Sequence, residues 1–452
     1  MGLRLMNRVR IVRALLALTF VAVAAAAPAQ TAGSLTTSDG KHPDGTAWRI
    51  DVPGNWNRIL LVGLDYAASP PNAASQGLLA RGYAMAGTTR LVTGWDVSAS
   101  IANQLATIDR FTEKHGQPER VFVLGSSLGA HTGAATIQAH PERFQGAVLM
   151  CGGLAGAVGL WDSKLDALFV AKTLLAPNDP STPMIRIPAD FAETARPAWL
   201  KMLAAAQETP AGRARIALAA VIAQLPTWSN ARKPQPAASD RAALQVGLYD
   251  SLAGGPLPVV GQAMSSRNEI ERRSGGNISS NVGVDYAALL QRSGNADLVA
   301  ALYREAGLEL QADLATLAGA PRISHDASAR AWAAPGVWNG ALTFPVLTLN
   351  GIGDQISPVA GQEAYQQVVT RAGKGELLRQ LYTNTAGHCG FSAAETVTAV
   401  EALRERVATG RWGDLDAERL NATAQVLNLG AARFQRFAPP TFLRPHFAAA
   451  TR

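Results

Sequence analysis

Residues 121–130 constrain this chain more than any other part of it. Val121, Phe122, Val123 and Leu124 form an apolar run, two of them β-branched and one aromatic, and read as a buried strand. Gly125-Ser126-Ser127-Leu128-Gly129 follows as Gly-x-Ser-x-Gly, and residues 128–140 read as a helix rich in small side chains. A serine on a sharp strand-to-helix turn is held exposed at the top of a sheet, and glycine is expected at positions 125 and 129 because neighbouring backbone would collide with a side chain there. Ser127, not Ser126, has glycine two positions away on both sides and is the candidate nucleophile. The same pattern arises by chance in glycine-rich loops. Its weight therefore comes from the strand before it, the helix after it and partners in the right chain order.

Those partners lie far downstream. A serine hydroxyl is a weak nucleophile and needs a neighbouring base. Imidazole suits the task because it titrates near neutrality, and a carboxylate must then fix its tautomer. In this arrangement the order is Ser, Asp or Glu, then His, each just after a strand. A strand at 344–350 leads to Gly351-Ile352-Gly353-Asp354, and a short strand at 378–382 leads to Gly387-His388-Cys389. Ser127, Asp354 and His388 are thus the expected catalytic triad. The oxyanion of the reaction is expected to meet the backbone N–H groups of Leu128 and Tyr66, with Asp65 the next choice after Tyr66.

Other candidates fit less well. His131 lies four residues beyond Ser127 on the same helix and is expected to be structural. His140 ends that helix, where a cation complements the dipole. His325 falls in the helical insertion, and His42, His115 and His446 lie in surface-like stretches. Asp65 and Asp96 precede the serine and suit loop or substrate positioning better than a triad.

Around these residues the chain alternates strands and helices. Strands are expected at 47–52, 58–62, 83–87 and 145–150, and an amphipathic helix at 97–114, with Ile101, Leu105, Ile108 and Phe111 on one face. Such alternation means an α/β fold: a mostly parallel, doubly wound sheet with helices on both faces. From 152 to 342 strand signals vanish. Helices are expected at 165–175, 197–206, 211–225, 241–252 and 296–318, the position of a cap or lid inserted after the strand that follows the serine turn. Such an insertion is expected either to cover the serine and shape the pocket or to be a rigid structural annex. A helix at 393–407 and a surface-docked tail close the chain. The expected division is a leader over 1–29, core over 30–151, helical cap over 152–342, and core plus tail over 343–452.

Composition narrows the function classes. In 452 residues, 48% are apolar and 17% charged, enough to bury a large core and too few charges for extensive disorder. The formal charge of +7 includes Arg4, Arg8, Arg10 and Arg13, so 7 − 4 = +3 without them. The remaining arginines are scattered, which leaves no nucleic-acid footprint. Those four precede an apolar run at 14–27 and Ala27-Pro28-Ala29, an A-x-A cleavage site before Gln30. The run is too short for a membrane span, so stable membrane insertion is not expected, and the mature chain is expected to be secreted or periplasmic. In such an oxidising compartment the two cysteines, Cys151 and Cys389, form either a disulfide pinning the histidine loop or two buried thiols. No metal site and no cofactor are expected.

The chain resembles a secreted bacterial α/β-hydrolase family of serine-esterase-like enzymes. The likeness is carried by Val52-Pro53-Gly54-Asn55-Trp56-Asn57, Arg81-Gly82-Tyr83-Ala84-Met85-Ala86-Gly87, Thr93-Gly94-Trp95, the serine turn, Met150-Cys151-Gly152, Gly275-Gly276-Asn277, Gly283-Val284-Asp285-Tyr286 and Gly387-His388-Cys389. One departure stands out: the His-Gly usual before the oxyanion loop reads Leu64-Asp65, which sets a carboxyl near the site and is expected to disfavour anionic substrates. The expected activity is hydrolysis of small carboxylic esters, with an apolar or aromatic group, through an acyl-enzyme. An amidase or peptidase using the same triad is the alternative, and a non-catalytic binding protein on the same fold is a third.

Overall fold

A computed structural model describes residues 34–445, so the leader expected over 1–29 and His446 lie outside the described residues. The chain opens with β1 (Leu35–Lys41), β2 (Ala47–Pro53), β3 (Ile59–Leu64), α1 (Ala73–Ala80), β4 (Ala84–Thr88) and α2 (Val97–His115). β5 (Arg120–Ser126), α3 (Leu128–Ala139) and β6 (Gly146–Met150) follow. After a helical insertion come β7 (Val346–Gly353), α13 (Ala360–Arg371), β8 (Leu378–Ala386), α14 (Ala393–Thr409), α15 (Ala417–Gln425) and β9 (Phe434–Gln435).

Among the described residues nine strands form one sheet in the order β1-β2-β4-β3-β5-β6-β7-β8-β9. The run from β4 to β8 is parallel, while β1, β2 and β9 attach antiparallel at the two ends. Parallel strands joined by helices are covered on both faces, which is why β3, β4 and β6 are buried along their whole length. Side-chain alternation divides the core: Val121 and Val123 of β5 point to the α2/α3 side with Phe111 and Leu149, and Phe122 points to the α1/α14 side with Leu61, Leu78 and Val397. Each such side chain, fully buried, contributes about 1.5–3 kcal/mol.

Nine helices stand between β6 and β7 among the described residues: α4 (Gly156–Leu175), α5 (Ala195–Gln207), α6 (Pro210–Ile222), α7 (Arg241–Tyr249), α8 (Val259–Ser274), α9 (Tyr286–Arg292), α10 (Ala296–Glu305), α11 (Leu310–Gly319) and α12 (Ala327–Trp332). They enclose their own core, with Phe169, Trp199, Leu218, Leu252, Val299 and Leu317 buried in it. α4 is buried nearly all round, its polar Asp162, Ser163, Lys164 and Asp166 included.

Several expectations change. The helix expected at 296–318 is two, because Gly307 takes φ +65° and the amide of Leu308 returns to the carbonyl of Tyr303, an end that the helical period does not reveal. β1 was not anticipated, since Leu-Thr-Thr-Ser-Asp-Gly-Lys has no apolar alternation; it is an exposed edge strand held by its register with β2. The tail does more than dock on the surface. Phe442, Leu443 and Arg444 are buried, Gln224 exchanges hydrogen bonds with the backbone of Thr441 and Leu443, and Arg444 pairs with Asp162 and Asp166 of α4.

Candidate active site

Ser127 sits between β5 and α3 with φ +56° and ψ −122°, a conformation that L-residues adopt only where surrounding structure enforces it. Its amide donates to the carbonyl of Met150 on the neighbouring strand. Gly125 is required by packing: a Cβ there would lie 2.4 Å from the carbonyl oxygen of Gly129. Gly129 is not required in the same way, because its Cβ would meet Leu64 at 3.4 Å, an ordinary contact. That corrects the expectation of a clash at both glycines.

Strands far apart in sequence bring the other two groups to this turn. His388, on the loop after β8, places Nε2 2.7 Å from Ser127 Oγ. Its Nδ1 lies 2.8 Å and 3.0 Å from the two carboxylate oxygens of Asp354, on the loop after β7. Asp354 is fully buried, and one carboxylate oxygen also accepts from the amides of Ile356 and Ser357. With the imidazole neutral, Nδ1–H donates to Asp354, which leaves Nε2 as acceptor for the Ser127 hydroxyl. The arrangement has the hydrogen bonding that proton transfer from a nucleophilic serine needs.

Cys151 and Cys389 are joined by a disulfide, with their Cα atoms 5.3 Å apart. Cys389 directly follows His388, and Cys151 directly follows β6, so the bridge fastens the histidine loop to the sheet. Both sulfurs are in the bond, and neither offers a thiolate to a metal.

A cavity of about 480 Å³ opens beside Ser127, lined by Leu64, Asp65, Tyr66, Arg90, Met150 and Phe391 among others. All of its lining residues come from the sheet core, and none from α4 to α12. The insertion instead lies against the acid and histidine loops: a Cβ on Gly353 would come 2.1 Å from the carbonyl of Trp228.

Among the described residues, neither the Leu128 N–H nor the Tyr66 N–H donates to a backbone acceptor outside its own element. Asp65 takes φ +72° and is paired with Arg90. The carboxyl anticipated there is therefore matched by a guanidinium, and this pair leaves no net negative charge on that wall.

The remaining residues fall into structural places. His131 is buried between Trp338 and Trp95 and bonds the carbonyl of Gly153 through Nδ1. Burial pushes its pKa down to about 4, which keeps it neutral. Asp96 caps α2 through the amide of Ala99. His140 ends α3 beside Glu142, His325 is exposed and His115 is half-buried against Phe111. His42 is not superficial: it is buried and bonded to Thr107. Sequence reasoning passed over Arg90 and Lys164. Lys164 sits on buried α4 with Nζ bonded to Gln262 and 5.0 Å from the Trp161 ring centre. Burial draws its pKa down to about 7, against the pull of Asp354. The charged residues Asp162, Lys164 and Asp166, set close together among apolar ones, were the available signal.

The sheet order, the serine turn after β5 and the loops after β7 and β8 define an α/β hydrolase. The family profile described as alpha/beta hydrolase fold matches residues 78–392, and the chain belongs to that family. It is 34% identical over 436 residues, 89% of this chain and 94% of the relative, to the o-phthalyl amidase of Xanthobacter agilis. Among solved structures it is similar to feruloyl esterase B of Aspergillus oryzae, at 13% identity over 84% of this chain and 81% of that one, with a TM-score of 0.40. It is also similar to the rice cell wall degrading esterase LipA of Xanthomonas oryzae, at 13% identity over 82% and 88%, with a TM-score of 0.36.

Proposed function

We propose that this chain is a serine hydrolase of small carboxylic acyl compounds that works through an acyl-enzyme on Ser127. The observation that carries the reading is the continuous hydrogen-bonded line from Ser127 Oγ through His388 to Asp354. As Ser127 attacks the carbonyl, His388 Nε2 takes its proton, and Asp354 holds the ring and stabilises the imidazolium. The amides of Leu128 and Tyr66 receive the oxyanion, each contributing about 3–4 kcal/mol when well aimed. His388 then returns the proton to the leaving group and activates water for deacylation.

Esters are the first reading, because an alcohol leaves more readily than an amine. Amides of aromatic acids are the second, favoured by the likeness to an o-phthalyl amidase over nearly the whole chain. An o-phthalyl group carries a second carboxyl function beside the reacting carbonyl. Arg90 in the cavity wall, balancing Asp65, makes such a group acceptable where a bare carboxylate would repel it. In this reading the 1–29 leader exports the chain, and the disulfide suits the oxidising compartment beyond.

Matched ester and amide chromogenic substrates of benzoyl and 2-carboxybenzoyl groups test the reading, with Ser127→Ala as control. Turnover of either series that disappears in Ser127→Ala supports it. Faster amide than ester turnover selects the second reading, and activity retained in Ser127→Ala removes both. Export is tested separately: the mature protein is expected to begin at Gln30.

A further inference from the structure

The loop that carries Tyr66 is gripped from two sides, and neither grip belongs to the triad. On one side Asp65 occupies the left-handed region at φ +72°, which costs an L-residue about 1–2 kcal/mol and which Asp tolerates better than most. Arg90 holds it there by three hydrogen bonds. Its backbone amide donates to Oδ1 at 3.2 Å, Nε donates to Oδ2 at 2.7 Å, and Nη2 donates to the same oxygen. On the other side the Tyr66 hydroxyl donates to Asp51 at 2.5 Å. Asp51 is fully buried and is itself fixed by Arg49 Nε at 2.6 Å and Thr37 at 2.5 Å. Beneath the loop Gly87 leaves the space it needs, since a Cβ there would lie 2.8 Å from Tyr66 Cβ.

Between these grips stands one peptide unit, joining Asp65 to Tyr66. Among the described residues its N–H has no backbone acceptor outside its own element, and the two residues it joins line the same cavity as Ser127. The direction of that N–H is set by the ψ of Asp65 and the φ of Tyr66, the torsions the two grips restrain. A donor that must meet a developing oxyanion depends on such restraint, because a misplacement of about 1 Å can lower a rate ~100-fold.

We propose that Arg90 is a positioning residue: by clamping Asp65 in the left-handed conformation it aims the Tyr66 amide at the oxyanion formed on Ser127. The proposal rests on the serine-hydrolase reading above. The clamp does the work that glycine does elsewhere, since glycine takes a positive φ without a clamp. For a substrate without a second carboxyl group Arg90 therefore acts on kcat rather than on affinity, and its effect requires Asp65.

The test measures kcat, KM and melting temperature on one chromogenic benzoyl ester, which carries no second carboxyl group, for Arg90→Met, Asp65→Ala, Asp65→Gly and the Arg90→Met/Asp65→Gly double variant. Arg90→Met is expected to lower kcat ~10–100-fold with KM within about threefold of wild type. Asp65→Ala, which keeps the unfavourable φ and loses the clamp, falls at least as far. Asp65→Gly recovers severalfold over Asp65→Ala, and adding Arg90→Met to it changes kcat no further, a non-additivity that a general loss of stability does not produce. The proposal is overturned if Arg90→Met has wild-type kcat, if its effect lies in KM, or if Asp65→Gly is no better than Asp65→Ala. Ser127→Ala measured alongside separates the two levels: full activity there defeats the serine-hydrolase reading itself, whatever Arg90 does.

Discussion

Cys389, the residue directly after His388, is bonded to Cys151, directly after β6, the strand that pairs with the one leading to Ser127. The bridge spans a sequence separation of 238 residues, so the imidazole loop and the serine turn are fastened to the same edge of the sheet.

Removing that bridge is expected to cost both stability and rate. Closing so long a loop restricts the unfolded chain by about 5 kcal/mol in the chain-entropy treatment. For a protein of this size, that corresponds to a melting temperature lower by about 5 °C in the Cys151→Ala/Cys389→Ala variant. With the histidine loop released, kcat falls while KM changes little. Thermal melts and steady-state kinetics check both halves, and an unchanged kcat would assign the bridge to stability alone.

Asp354→Asn is expected to leave the fold intact and lower kcat by ~10⁴-fold. The amide still accepts from Ile356 and Ser357, but it no longer holds Nδ1 as a donor to a carboxylate, and the favoured tautomer leaves Nε2 protonated toward Ser127. Kinetics beside a circular dichroism spectrum distinguish this from misfolding, and a loss below tenfold would remove Asp354 from the triad.

How much of this was legible in the sequence follows from where each signal resides. Ser127, Asp354 and His388 could be named together because each follows a strand, and a parallel sheet brings such strand ends to one edge. The pocket could not be read in the same way. Its walls combine residues as distant as Tyr66 and Phe391, and the Arg90–Asp65 pair exists only once β4 lies beside β3. β1 escaped because its polar sequence carries no period, and the break before α11 escaped because one glycine in an apolar helical pattern does not declare its φ.

Close backbone packing beneath the oxyanion loop gives a third expectation. In Gly87→Ala the new Cβ would lie 1.9 Å from the carbonyl oxygen of Gly63, so the strands must separate, at a cost of about 1–3 kcal/mol or more. Gly319→Ala meets nothing within 4 Å and ends α11, so it is expected to be neutral or stabilising by up to ~1 kcal/mol. Urea denaturation of the pair checks the contrast, and equal midpoints would contradict the packing argument.

Lys164 predicts a pH dependence. Burial draws its pKa down to about 7, whereas an unfolded lysine titrates near 10.4. Between these values the unfolded chain binds the extra proton, so this group makes stability rise with pH, by up to about 1.4 kcal/mol per unit. Lys164→Met lacks that slope. Its stability relative to wild type is therefore expected to be most favourable at pH 7 and to decline toward pH 9, measured by urea denaturation at each pH. A constant difference across the range would show that Lys164 keeps its ordinary titration.

The most direct measurement is covalent. The folded protein, treated with a fluorophosphonate, digested and mapped by mass spectrometry, is expected to carry a single adduct on Ser127, absent from the His388→Ala variant. An adduct on another serine, or none on the folded wild-type protein, would contradict the assignment of Ser127 as the activated nucleophile.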